Sequence, residues 1–202
     1  MRRTAKEVLK EEVLKEEVNA IKAIPLTGID EAVEEILKCK GKLVFIGMGK
    51  AGLIARKVSA TFASTGTPAF YLHPCEAQHG DLGMVAEGDL MIAFSNSGKT
   101  REIIESTYLA KQLCDLKLIT VTANKDAPLA VQSDVVIETG GYPEVCPLGM
   151  APTCSTTVML VIGDVLAMVV MEKKKFTKEE YAKRHHGGYL GQVARGDDDA
   201  VK

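Results

Sequence analysis

Four side chains able to move or stabilise a proton stand beside short glycine-containing turns. Lys50 lies in Gly47-Met48-Gly49-Lys50-Ala51-Gly52, Glu102 follows Ser95-Asn96-Ser97-Gly98-Lys99-Thr100, Glu144 lies in "GYPEVCPLGMAPTCSTT", and His185 precedes His186-Gly187-Gly188. A carboxylate poised by partial burial can act as a base at carbon. A lysine can stabilise a developing oxyanion, and a histidine exchanges protons near neutral pH. Each also has a plainer reading: Glu102 can complement a helix dipole, Lys50 and Glu144 can be solvated charges, and the histidines can cap a helix. The second turn suggests what the group would act on. Ser95, Ser97 and Thr100 bring three hydroxyls, with Asn96, around Gly98 at a strand-to-helix junction. Free N–H groups at a helix N-terminus favour anions. One Ser or Thr suffices to cap a helix; three converging favour a cradle for a single phosphomonoester.

Two nucleotide-binding patterns are approached and not met. Gly98-Lys99-Thr100 ends like a P-loop, but the first glycine would fall at position 93, which is Ala93 inside an apolar run. Gly47 to Gly52 fits G-x-G-x-x-G, yet the second strand ends in Tyr71-Leu72-His73 with no acid to hold a ribose, the nearest being Glu76. Lys50 also intrudes where backbone alone should meet a pyrophosphate.

The elements that position these turns follow from the apolar pattern. Residues 42–47, 68–73, 89–95, 117–122 and 134–138 are continuous apolar runs, which is how strands buried on both faces read. Between them, 51–64 and 101–113 read as helices, as do 154–172 and 177–184 after the last strand. Residues 4–24 are an amphipathic helix with Val8, Leu9, Val13, Val18 and Ile21 on its apolar stripe, and 30–38 a second. Strands alternating with helices give an α/β fold, an αβα sandwich with a five-stranded parallel sheet and an N-terminal helical extension over 1–40. Ligands of such sheets bind beyond the carboxyl ends of the strands, where the turns after Gly47, His73, Ser95 and Glu138 lie. The polar end, 192–202, is expected to be disordered.

Bulk composition excludes several classes. The chain has 202 residues and a net charge of −2, which gives no basic footprint for nucleic acid. Five cysteines, an odd number with no C-x-x-C pair, read as reduced thiols in a cytoplasmic protein. The first 18 residues are too charged for a signal peptide. The most apolar segment, 156–171, is interrupted by Gly163 and Asp164 and reads as a buried core helix rather than a bilayer span.

The stretches "GMGKAG", "ATFASTGTPAF", "HGDLGMV", "SNSG", "CPLGMAPTCSTT" and "HHGGYLG" fall in the order and spacing of a known family. From about Gly41 to Gly191 the chain resembles the sugar-isomerase (SIS) domain of the D-arabinose 5-phosphate isomerases. The resemblance implies interconversion of D-ribulose 5-phosphate and D-arabinose 5-phosphate through a cis-enediol(ate), in a homotetramer whose subunits share active sites. It places the catalytic roles on Lys50, Glu102, Glu144 and His185 and the phosphate on Ser95, Asn96, Ser97 and Thr100, with Gly49 and His79 as further substrate contacts. Which glutamate is the base stays open. The chemistry requires no cofactor; His73, Cys75 and His79 are candidate ligands for an inhibitory zinc ion. Alternatives are another phosphosugar isomerase, such as a 6-phospho-3-hexuloisomerase, or a non-catalytic phosphosugar sensor. Two departures stand out. His186 replaces the family's usual proline, which loosens the backbone expected to hold His185. The sequence also ends soon after "GGYLG", so a short form without CBS domains is expected.

Overall fold

The computed structural model describes residues 4–196. The five apolar runs pair as one parallel sheet: β1 (Leu43–Gly47), β2 (Ala69–Leu72), β3 (Leu90–Phe94), β4 (Lys117–Thr122) and β5 (Val135–Glu138), in the order β2-β1-β3-β4-β5. The register is continuous across it: Gly47 lies opposite Phe94, Phe94 opposite Val121, and Val121 opposite Ile137. Every residue of β1 and β3 is buried, because each has a strand on both sides and a helical layer on both faces.

The helices in chain order are α1 (Ala5–Glu7), α2 (Leu14–Lys22), α3 (Ile29–Lys38), α4 (Gly49–Ser64), α5 (Pro74–Ala77), α6 (Arg101–Leu113), α7 (Pro128–Val131), α8 (Cys154–Lys173), α9 (Lys178–Arg184) and α10 (Tyr189–Arg195). Successive strand residues point to opposite faces, and the core divides accordingly. Leu43, Phe45, Ile92 and Phe94 pack with α2, α3, α4 and α8. Val44, Ile46, Met91 and Ala93 pack with α5, α6 and α7. The result is the expected three-layer sandwich. Helix α8 has the length and mean hydropathy (2.1) of a membrane span, but Val158, Ile162, Leu166 and Val170 bury its inner face against the sheet and α4.

The structure departs from expectation in several places. The N-terminal helix opens with a capping box between Thr4 and Glu7 and then runs as a π-helix over Val8–Val13. Of the apolar stripe, Leu9 in the π-helical stretch and Val18 in α2 are 50% and 44% exposed. The short helices α5, α7 and α10 have too few turns to show a period. Helix α10 continues to Arg195, beyond the boundary expected at 191, because it packs back on α9 and Arg195 Nη1 donates to the His185 carbonyl at 3.4 Å. Residues 197–202 of the expected disordered tail lie outside the described residues.

The strand order positions the site. From β1 the chain leaves through α4 to β2 on one side, then returns to β3 on the other. The helices after β1 and β3 therefore lie on opposite faces of the sheet. This is the reversal at which open parallel sheets leave a crevice beyond their carboxyl ends. Its walls are the turns Met48–Lys50 and Ser95–Thr100.

Candidate active site

The two crevice turns differ in kind. In the first, Met48 is the N-cap of α4 with no side-chain cap, Gly49 takes φ +59°, and both Gly49 and Lys50 are exposed in the first helical turn. The glycine pattern has a packing cause: a Cβ on Gly52 would stand 2.5 Å from the Gly47 carbonyl oxygen, which also accepts the Tyr71 hydroxyl at 2.7 Å. Helix α4 thus seats directly on the end of β1 and Lys50 is carried to the crevice mouth.

The second turn is braced from within and from behind. Ser95 is buried, its Oγ 3.1 Å from Thr100 Oγ1. Thr100 is the N-cap of α6 yet makes no side-chain cap bond, so the α6 N-terminus keeps its free N–H groups. Ser97 Oγ accepts Lys99 N–H at 3.2 Å and keeps its own proton to donate. Lys99 is exposed. The loop after β4 holds the turn from behind: Ala123 N–H donates to the Asn96 carbonyl (3.0 Å), Thr122 Oγ1 to the same carbonyl (3.2 Å), and Leu129 N–H to the Gly98 carbonyl (3.1 Å).

The two glutamates have different surroundings. Glu102 lies in the first turn of α6. It is half-buried, and its carboxylate takes no hydrogen bond from the described residues. Glu144 is tied down. Its Oε2 accepts Thr153 N–H (2.6 Å), Thr153 Oγ1–H (2.9 Å) and Ser155 N–H (3.3 Å), which closes the N-terminus of α8 from outside. Burial pushes its carboxyl up, but the donors of Ser155 and Thr153 outweigh that and hold it below the usual carboxylate range. A carboxyl depressed in the folded state adds stability above its unfolded value, near 4.5, and that stability is lost as pH falls through the lower folded value. Glu144→Gln should therefore destabilise the protein by about 1 kcal/mol at neutral pH. The gap from the unaltered protein should close in acid; melting curves between pH 7 and pH 3 test this.

Tyr142 carries the Glu144 loop to the cradle, its hydroxyl donating to Asn96 Oδ1 at 3.4 Å, and burial pushes that hydroxyl up to about 12. Nothing in the sequence marks Tyr142, Thr122 or Thr153 as bracing residues. Cys146 is another: its Sγ accepts Leu148 N–H and Ala151 N–H at 3.4 and 3.3 Å, and such donors, Ala151 first, lower its thiol from the ordinary value.

The histidines are placed differently. His73 Nδ1 accepts Cys75 N–H at 3.3 Å and caps α5, while His79 follows that helix in an exposed turn. Among the described residues no three His, Cys, Asp or Glu side chains form a metal-holding group, so His73, Cys75 and His79 are not assembled as one. His185 ends α9. The neighbouring Arg184 lines a cleft with Lys42, Pro68 and Ala69 at the amino ends of β1 and β2. Within one chain, then, Lys50, Glu102 and the Ser95–Thr100 turn follow the carboxyl ends of β1 and β3, Glu144 is tethered to the N-terminus of α8, and Arg184, the neighbour of His185, lines a cleft at the opposite, amino end of the sheet.

The SIS domain matches residues 36–169. The chain belongs to the SIS-domain family. Arabinose 5-phosphate isomerase KdsD of Pseudomonas aeruginosa PAO1 is 48% identical over 162 residues, which is 80% of this chain and 49% of that protein. Its counterpart in Escherichia coli K12 is 49% identical over 161 residues, again 80% and 49%. The chain spans about half the length of the curated relatives it matches. Among solved structures, an Escherichia coli CFT073 protein in complex with A5P superposes with a TM-score of 0.86 at 42% identity, covering 92% of this chain and 100% of that one. A candidate phosphosugar isomerase involved in capsule formation from Bacteroides fragilis NCTC 9343 gives 0.86 at 56% identity, covering 89% and 96%. The matched SIS segment contains β1 to β5, both crevice turns and Glu144.

Proposed function

We propose that this SIS-domain chain is a phosphosugar aldose–ketose isomerase acting on D-ribulose 5-phosphate and D-arabinose 5-phosphate. The observation that carries the reading is the braced Ser95–Thr100 cradle sharing one crevice with Lys50 and Glu102. Similarity to proteins named arabinose 5-phosphate isomerase, and to a chain solved with A5P, selects the substrate class. The phosphate seats on the hydroxyls of Ser95, Ser97 and Thr100, on Asn96 and on the N–H groups opening α6, and so fixes the reacting carbons by binding energy remote from them. Gly49 and His79 flank the sugar.

Isomerisation moves one proton between C1 and C2 and another between their oxygens. Glu102 is the base: it removes the proton from one carbon and returns it to the next. Glu144 is the poorer base because its Oε2 is committed to three donors and its carboxyl is depressed; its part is to hold the loop and its negative charge in place. Lys50 stabilises the enediolate oxygen. His185 opens the sugar ring and passes the oxygen-bound proton. Because Arg184, next to His185, lies at the amino ends of β1 and β2, a neighbouring copy supplies the histidine, and the working form is an oligomer, a tetramer with shared sites. The scheme runs without a cofactor, and the substrate is a cytoplasmic metabolite.

A turnover assay across pentose and hexose phosphates tests the reading. Conversion of ribulose 5-phosphate is expected to exceed that of every hexose phosphate. Preferential turnover of a 3-hexulose 6-phosphate would move the assignment to the hexuloisomerases, and saturable binding without turnover would make the chain a sensor.

A further inference from the structure

The replacement of the family's proline by His186 should leave His185 loosely held, yet its ring is fixed by other means. Helix α9 begins with a capping box, Thr177 Oγ1 accepting Glu180 N–H and Glu180 Oε2 accepting Thr177 N–H. With the start set, Tyr181 and His185 fall four residues apart, where side chains on a helix meet. Their rings stack with centroids 3.8 Å apart and planes 13° from parallel. His185 Nδ1 lies 2.9 Å from the Tyr181 carbonyl oxygen. An oxygen of that kind only accepts, so Nδ1 carries the hydrogen in the neutral ring and Nε2 bears the lone pair. The backbone is held as well: Arg195 Nη1 donates to the His185 carbonyl at 3.4 Å, joining α10 to the end of α9.

We propose that Tyr181 is a positioning residue, which clamps the His185 ring by its aromatic face and by its carbonyl so that Nε2 alone is presented for proton transfer. The inference rests on His185 serving the isomerisation and adds what that reading does not contain: the tautomer and the residue that sets it. The hydroxyl of Tyr181 has no part in this, so phenylalanine should serve as well as tyrosine.

Turnover of ribulose 5-phosphate by Tyr181→Phe, Tyr181→Ala and His185→Gln, each as the full chain, tests the proposal. Tyr181→Phe should keep kcat within about twofold. Tyr181→Ala should lose about tenfold in kcat with KM little changed, a part of the roughly 10²–10⁴-fold that general acid–base groups supply. His185→Gln should lose more than Tyr181→Ala. Full activity in Tyr181→Ala, with His185→Gln inactive, overturns the clamp and leaves the histidine's role standing. Full activity in His185→Gln overturns that role instead. Nitrogen-15 spectra of the unaltered protein give a measurement independent of any variant's folding. A pyrrole-type Nδ1 and pyridine-type Nε2 are expected for the neutral His185 ring, and the reverse assignment sinks the proposal.

Discussion

Glu102→Gln is expected to lower kcat by about 10²–10⁴-fold, the usual contribution of a general base, while the protein melts almost where it did. The two halves of that expectation come from one observation. The Glu102 carboxylate takes no hydrogen bond from the described residues, so removing its charge breaks none and loses only a charge interaction with exposed Arg101. What is lost structurally is a first-turn charge on α6, on the order of a few tenths of a kcal/mol. Glu144→Gln should do the reverse, costing stability first and rate only as far as the loop shifts. KM for the phosphosugar should change little in Glu102→Gln, because the phosphate turn is intact. Glu102→Asp, which keeps the charge and draws it back by one methylene, should fall between. Full turnover by Glu102→Gln, beside loss of turnover by a folded Glu144→Gln, would move the base to Glu144 and refute the role assigned from the hydrogen bonds.

Much of the fold was legible because each strand is buried on both faces and so is written as an unbroken apolar run. Residues 117–122 were read to the residue, and the other four strands to within one at each end. The long helices were legible for the same kind of reason, their period extending over three turns or more. What was not legible has local causes. Helix α7 is four residues opened by Pro128, and α5 four residues opened by Pro74, too short for a period. The π-helical stretch at Val8–Val13 keeps the same residue types as an α-helix and changes only their winding.

The crevice was legible where chemistry needs particular residue types in a row, as in Ser95 to Thr100, and where a turn must follow a strand. Its support was not. Thr122 and Leu129 brace the cradle from the next strand's loop, 22 or more residues on from Thr100, and Tyr142 reaches Asn96 across 46 positions. Such contacts are set by the order of strands in the sheet, which the apolar runs do not specify. The same holds for Glu144 and Glu102. They look alike in sequence, and only the donors of Thr153 and Ser155 separate a tethered carboxylate from an unengaged one.

Gly98→Ala is expected to damage both stability and substrate binding. Gly98 takes φ +63°, and a Cβ there would stand 2.5 Å from Ala127 Cβ and 3.1 Å from Thr122 Oγ1. The left-handed backbone costs alanine about 1–2 kcal/mol. Overpacking against a buried methyl group that cannot rotate away adds about 1–3 kcal/mol, giving a loss of about 2–5 kcal/mol in all. If the chain instead moves to relieve the contact, the Gly98 carbonyl leaves Leu129 N–H and the Ser95–Thr100 hydroxyls spread. KM for the phosphosugar should then rise by about tenfold or more, and inorganic phosphate should inhibit correspondingly less, with kcat less affected because Glu102 stays on α6. Ala127→Gly separates the two causes. Ala127 is the N-cap of α7, a position that tolerates glycine, and without its methyl the 2.5 Å contact disappears while the positive φ remains. The double variant should therefore recover the packing part of the loss, about half, and no more. Complete recovery would show that backbone conformation at Gly98 contributes nothing. No recovery would show that the Ala127 contact contributes nothing, and that the cradle depends on the left-handed turn alone.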